Sequence, residues 1–193
     1  MITQIKGKLI EKNPTQVVVD CNGIGYEINI SLHTFSSISA DENIQLFTHL
    51  QVREDAHILY GFFTVQERSV FRLLISVSGI GTSTARTMLS SLSPAQIQLA
   101  IGSEDVPTIQ GVKGIGLKTA QRVIIELKDK IRSIQGSEEI PVHKSNTIKE
   151  ETLSALEVLG YSRKTSEKVV DKLIQSNPEI TVEDSIKGAL NKL

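Results

Sequence analysis

The feature that most constrains what this chain can fold into is a repeat. Val77-Ser78-Gly79-Ile80-Gly81-Thr82-Ser83-Thr84-Ala85 returns as Val112-Lys113-Gly114-Ile115-Gly116-Leu117-Lys118-Thr119-Ala120, at an offset of 35 residues that also pairs Leu74 with Ile109. A pattern that occurs twice at one spacing points to one supersecondary unit used twice. Its residues say which unit. Two glycines around one apolar residue allow a tight connection between two helices, because glycine reaches backbone angles closed to other residues. Ile80 or Ile115 plugs inward, and the small Ala85 or Ala120 lets the second helix pack close to the first. The first N–H groups of that second helix have no intrahelical acceptor, and the helix dipole stands behind them. They make a seat for a phosphate oxygen. The pattern reads as a tandem helix-hairpin-helix, which grips a nucleic-acid backbone without reading its bases. A lone Gly-x-Gly turn is also an ordinary tight helix connection. The second copy at matched spacing favours the binding reading.

The charge distribution agrees. The chain carries 21 basic and 22 acidic residues, but residues 65–135 hold 9 and 5, against 4 and 7 in residues 1–64 and 8 and 10 in residues 136–193. A basic middle between acidic ends suits a polyanionic partner. Nucleotide motifs do not fit. Gly111 to Thr119 reads G-V-K-G-I-G-L-K-T, where Leu117 breaks the G-K-[ST] of a Walker loop and no strand is expected before it. Thr84 and Thr119 stand where a dinucleotide fingerprint needs its third glycine. No cofactor is expected, and any motor must be another protein. The single cysteine, Cys21, excludes an internal disulfide and a cysteine zinc site. His33, His49, His57 and His143 show no ligand spacing. Apolar runs are short against the roughly 20 residues of a membrane span, and the first residues lack the apolar stretch of a signal peptide. These exclude an integral membrane protein and suit a reducing cytoplasm.

The flanking segments differ from the repeat. Ile2 to Ile10, Thr15 to Cys21, Tyr26 to Ile30, Asn43 to Val52 and Ala56 to Phe63 read as strands, with turn signals at Asn13-Pro14 and Asn22-Gly23 and a hairpin tip at Glu54-Asp55. Five short strands fit a small barrel of the OB type. Phe62, Phe63 and Phe71 are expected to pack the barrel onto the helices that follow. Those helices are expected over Gln66–Ser76, from Ser93-Pro94, over Glu104–Gln110 and over Leu117–Ile134. Residues 137–146 show no periodicity and read as a flexible linker. Ile148–Leu159, Arg163–Gln175 after the cap Ser162, and a last helix capped by Thr181 with Asp184 make a small helical module. Its core is marginal, which suits a docking module. The expected division is a barrel (1–64), a tandem helix-hairpin-helix domain (65–136), a linker (137–146) and a docking domain (147–193), a multidomain α+β chain.

This order of parts, the run Arg53-Glu54-Asp55-Ala56 with Leu59-Tyr60-Gly61-Phe62, and the two Gly-Ile-Gly copies resemble the RuvA family over essentially the whole chain. The resemblance implies an N-terminal OB-like β-barrel, a central helical domain with two helix-hairpin-helix motifs, and a C-terminal UBA-like three-helix domain whose Gly-aromatic loop matches Leu159-Gly160-Tyr161. It implies sequence-independent binding of four-way Holliday junctions, held open by a homotetramer, or an octamer on DNA, in recombination and DNA repair in the bacterial cytoplasm. It implies a RuvB-type hexameric ATPase docked by residues 147–193 and a RuvC-type resolvase as further partner. The chain itself would be no enzyme. The implied DNA-binding residues are Gly79, Ile80, Gly81, Thr82 and Ser83 in the first hairpin and Gly114, Ile115, Gly116, Leu117 and Lys118 in the second, with Arg122 one turn on. Arg122 would equally well pair with Glu126 at i+4. The family's basic residue after Gly-x-Gly is kept as Lys118, whereas Thr82-Ser83-Thr84 leaves the first hairpin with hydroxyls and N–H groups. The family's acidic pin falls on Glu54 and Asp55, whose carboxylates would repel phosphates at the junction centre and disfavour ordinary duplex. A hairpin tip is equally a place for solvated acids. A glycosylase or lyase with Asp129 as its acid, and a pure adaptor, are the alternatives.

Overall fold

The computed structural model describes residues 1–39, 42–135, 144–177 and 180–193. The chain divides into two compact units, Met1–Glu138 and Glu139–Leu193. The first opens with strands β1 (Gln4–Asn13), β2 (Gln16–Cys21), β3 (Ile24–Ile30), β4 (Asn43–Val52) and β5 (His57–Phe62), with helix α1 (Leu32–Ser37) between β3 and β4. They close into a barrel in the order β1-β2-β3-β5-β4, in which only β3 and β5 run parallel. This bears out the OB-like reading. Residues of period two, Val17 with Val19, Ile28 with Ile30, and Ile44 with Leu46, fill the barrel. Asn22 and Gly23 both have positive φ, 56° and 92°, as a two-residue type I′ turn requires. β1 runs three residues past its expected end, because a bulge between Leu9 and Glu11 resets its register on β2 and turns Ile10 outward.

Five helices complete the first unit: α2 (Val65–Ile75), α3 (Thr82–Ser91), α4 (Pro94–Gly102), α5 (Val106–Gln110) and α6 (Leu117–Gln135). α4 starts with a full capping box between Ser93 and Gln96. α5 starts later than the expected Glu104, because Glu104 takes φ +60° and Asp105 is the cap. The helices have a core of their own, to which β5 of the barrel contributes Tyr60 and Phe62. Phe71 of α2 is fully buried against Phe62 and Tyr60 of β5, with ring centroids 4.8 and 5.3 Å away. Phe63, expected at the same seam, is exposed at 44%. A second tie is polar. The buried Glu67 carboxylate accepts from Ser31 Oγ and Thr34 Oγ1 at 2.7 Å each and from Phe63 N at 3.0 Å, so both of its oxygens are hydrogen-bonded where water is excluded.

The second unit holds α7 (Lys144–Val158), α8 (Arg163–Ser176) and α9 (Val182–Leu190). Leu153, Leu156, Val170, Leu173, Ile180 and Ala189 form its core. Ser162 and Thr181 cap α8 and α9 as expected. Of the expected linker, residues 137–143 lie outside the described residues, and residues 144–146 belong to α7. Polar residues extend that helix ahead of Ile148, where apolar periodicity first registers it.

Candidate nucleic-acid interface

The two repeat copies fold alike, bond for bond. Val77 N–H donates to Leu74 O, Ile80 N–H to Val77 O and Ala85 N–H to Gly81 O; 35 residues on, Val112, Ile115 and Ala120 donate to Ile109, Val112 and Gly116 in the same way. Gly79 and Gly114 turn the chain at φ +96° and +91°, where a side chain would be strained. Ile80 and Ile115 are buried, and Ala85 and Ala120 are fully buried between the helices. Each second helix then begins on a glycine. Gly81 caps α3 without any side-chain hydrogen bond, and Gly116, its counterpart before α6, has no side chain to offer. Elsewhere the chain caps with oxygen: Ser31, Thr64, Ser93, Asp105, Ser162 and Thr181 each accept from the first turn of their helix. Of the helices whose N-caps are described, only α3 starts without a side-chain acceptor for its leading N–H groups, and a glycine in the same place before α6 can supply none.

The hairpins abut. Arg122 Nη1 donates to Ser78 O at 3.1 Å, and a Cβ on Gly79 would stand 4.0 Å from Thr119 Cγ2. Arg122 therefore ties α6 to the first turn, with further guanidinium N–H groups left over, and makes no ion pair with Glu126 among the described residues. Lys113, Gly114, Gly116, Leu117 and Lys118 are exposed around the second hairpin, and Gly79, Gly81 and Ser83 around the first. Thr82 departs from the expectation. Its side chain is buried, and its hydroxyl donates to Gln51 Oε1 at 2.8 Å and accepts from Tyr60 Oη at 3.0 Å. Only its backbone N–H remains for a ligand. Arg86, the nearest cation on α3, is likewise spent inside the unit, on Asn29 Oδ1 at 2.6 Å.

Glu54 and Asp55 occupy the tip between β4 and β5, in a turn closed by Arg53 N–H donating to Ala56 O at 2.8 Å. Both are exposed. Gln51, bonded to Thr82, lies three residues before Glu54, so the tip stands within about 10 Å of Gln51 at roughly 3.3 Å per residue. The acidic tip and the uncapped N-terminus of α3 therefore share one end of the unit. Asp129 is exposed on α6, and the segment Gly111–Thr119 follows helix α5 rather than a strand. Sequence reasoning missed Gln51, Tyr60, Arg86 and Lys113. Lys113, inside the repeat itself, was the one with a visible signal.

Three family models match the chain in order: the RuvA N-terminal domain over residues 1–61, a SAM-like helix-hairpin-helix tandem over 71–129 and the RuvA C-terminal domain over 147–193. A protein of Christiangramia forsetii is 64% identical over 193 residues, covering 100% of both chains. The chain belongs to the RuvA family. Further RuvA relatives come from Flavobacterium psychrophilum, at 56% identity over 193 residues, and Bacteroides thetaiotaomicron, at 46% over 201, each again covering 100% of both chains. All three relatives are named Holliday junction branch migration complex subunit RuvA. The RuvA models bracket the hairpins: one covers the barrel up to Gly61, the other begins at residue 147.

Proposed function

We propose that this chain is the DNA-binding subunit of a branch-migration complex, which holds four-way Holliday junctions by their backbones and presents them to a separate ATPase. One observation carries the reading. Two adjacent helix N-termini are left uncapped by Gly81 and Gly116, on the basic segment, with an exposed acidic tip at the same end. The N–H groups of residues 82–84 and 117–119, helped by Lys113, Lys118 and Arg122, attract phosphates whatever the base sequence. The Glu54 and Asp55 carboxylates repel them. Attraction beside repulsion selects a backbone path that bends away from the tip, as strands parting at a junction centre do. The names of the relatives support this substrate.

The reading extends to the rest of the chain. Residues 1–64 and 65–136 act together on DNA, and residues 147–193 dock a RuvB-type hexameric ATPase. Val158, Leu159 and Tyr161, exposed at 87%, 56% and 38% where α7 gives way to α8, support the docking role. A homotetramer or octamer multiplies the modest basic field of one chain and adds avidity. A RuvC-type resolvase would act on the same open junction, in the bacterial cytoplasm. The subunit itself carries no nucleotide chemistry, and among the described residues no helix is long and apolar enough to cross a membrane. A gel-shift titration in EDTA tests this, comparing a four-way junction with a linear duplex of the same arm sequence. The expected result is a strong junction preference that shrinks in Glu54→Ala/Asp55→Ala as duplex binding rises. Equal binding of both DNAs by the wild type overturns the reading.

A further inference from the structure

Thr82 opens α3, whose leading N–H groups form the first phosphate seat, yet its hydroxyl is turned into the barrel. There it donates to Gln51 of β4 and accepts from Tyr60 of β5, at 2.8 and 3.0 Å. β4 and β5 are the two strands that carry the acidic tip, paired in register with Gln51 opposite Ile58 and His49 opposite Tyr60. One buried hydroxyl thus grips both strands of the acidic hairpin. The second repeat copy lacks the device: Leu117, the counterpart of Thr82, is 51% exposed and is followed by the exposed Lys118. The two copies differ at neighbouring positions: where the first has Thr82-Ser83, with a tether at Thr82, the second has Leu117-Lys118, with a cation at Lys118.

We propose that Thr82, with Gln51 and Tyr60, positions the acidic tip relative to the first phosphate seat and so sets the preference for a junction over a duplex. The inference rests on the junction reading above. A two-stranded ribbon is weakly held by itself, so a tip without lateral support gives way to a duplex laid across the hairpin. The repulsion at issue is short-ranged, since salt screens it over about 8–10 Å. That is comparable to the reach of the tip from Gln51, so a displacement of a few ångströms decides how much of it a duplex meets. Thr82 acts here as a positioning residue: its hydroxyl touches no DNA.

The experiment measures junction and duplex affinities of the full chain in EDTA for Thr82→Val, which keeps the branched shape and removes the hydroxyl, and for Thr82→Ser, which restores it. The expected result for Thr82→Val is a junction-to-duplex ratio lowered about three- to tenfold, the worth of one or two neutral hydrogen bonds, through tighter duplex binding. Thr82→Ser keeps the wild-type ratio. In the Glu54→Ala/Asp55→Ala background, adding Thr82→Val changes the ratio no further, because the carboxylates it positions are gone. Should Thr82→Val fail to fold, Gln51→Leu/Tyr60→Phe cuts the same link from the barrel side, with circular dichroism as the check on folding. An unchanged ratio in Thr82→Val, where Glu54→Ala/Asp55→Ala does shift it, overturns the tether and leaves the junction reading standing. A further fall in the acid-free background also overturns it. Equal affinities for both DNAs in the wild type remove the junction reading and the tether together.

Discussion

His49 lies in the seam between barrel and helices, its ring centroid 5.5 Å from that of Phe71 and its Nδ1 without a hydrogen-bond partner among the described residues. Burial first, then the Arg72 and Arg68 guanidinium groups, hold its imidazole below its usual value of 6.5. The folded chain therefore keeps His49 neutral where the unfolded chain already binds a proton, and protonation drives unfolding. This contribution to stability is intact above the ordinary histidine pKa and is lost as pH falls through it towards the depressed value. Thermal melts are expected to show a Tm that drops between about pH 7 and pH 5.5, and less steeply in His49→Gln; parallel curves for the two proteins would clear His49 of the effect. Lys118 makes the second prediction at this scale. It is exposed at the uncapped start of α6 and has no ion-pair partner among the described residues. Lys118→Ala should weaken junction and duplex binding alike, and lower the slope of log affinity against log salt by about 0.9 if it holds one phosphate. An unchanged slope would take Lys118 off the backbone path.

The hairpin helices set aside a rule of helix stability at their first residue. A serine at a helix N-cap is worth a few tenths of a kcal/mol over glycine, and a Cβ at Gly81 or Gly116 would meet nothing within 4 Å. Gly116→Ser is therefore expected to leave the Tm level or raise it slightly, while its hydroxyl takes the N–H groups a phosphate would use and DNA affinity falls. Undiminished affinity with a capped helix would show that those groups hold no DNA. Both hairpins were legible in the sequence because every residue in them acts on its near neighbours: glycine for the turn, isoleucine for the plug, alanine for close packing. The caps Ser93, Ser162 and Thr181 were legible for the same reason. Thr82 was not. Beside Ser83 and Thr84 it reads as polar hairpin surface, and its partners lie 31 and 22 residues back, on strands whose pairing no local pattern announces. Glu67 reads as an ordinary first-turn acid of α2, and only the approach of α1 makes it a buried acceptor for Ser31 and Thr34. The bulge that lengthens β1 hides for a related reason, since it breaks the very alternation by which a strand is recognised.

On the scale of the whole molecule, the barrel and the tandem hairpins cannot be parted without exposing Phe71, Phe62 and Tyr60, which they bury in common. The second unit has a core of its own. Among the described residues it buries six apolar side chains, and the buried hydroxyls of Thr152, Ser166 and Ser185 find no hydrogen-bond partner, which costs stability. Ser166→Ala should accordingly cost no stability, or add some, in melts of the second unit. The division of labour follows from the same contrast. All the elements proposed to touch DNA, the two uncapped helices and the acidic tip, belong to the first unit, while the exposed Val158, Leu159 and Tyr161 belong to the second. A chain ending at residue 146 is therefore expected to melt cooperatively and to bind a four-way junction as tightly as the full chain, with the same steep dependence on salt. It should no longer stimulate ATP hydrolysis by a RuvB-type partner. Leu159→Asp in the full chain should reproduce that loss with junction binding untouched, since the residue is exposed and its core neighbours need not move. Weakened junction binding in the truncated chain would mean that the second unit also takes part in holding DNA, and stimulation that survives Leu159→Asp would move the docking surface to another face of the module.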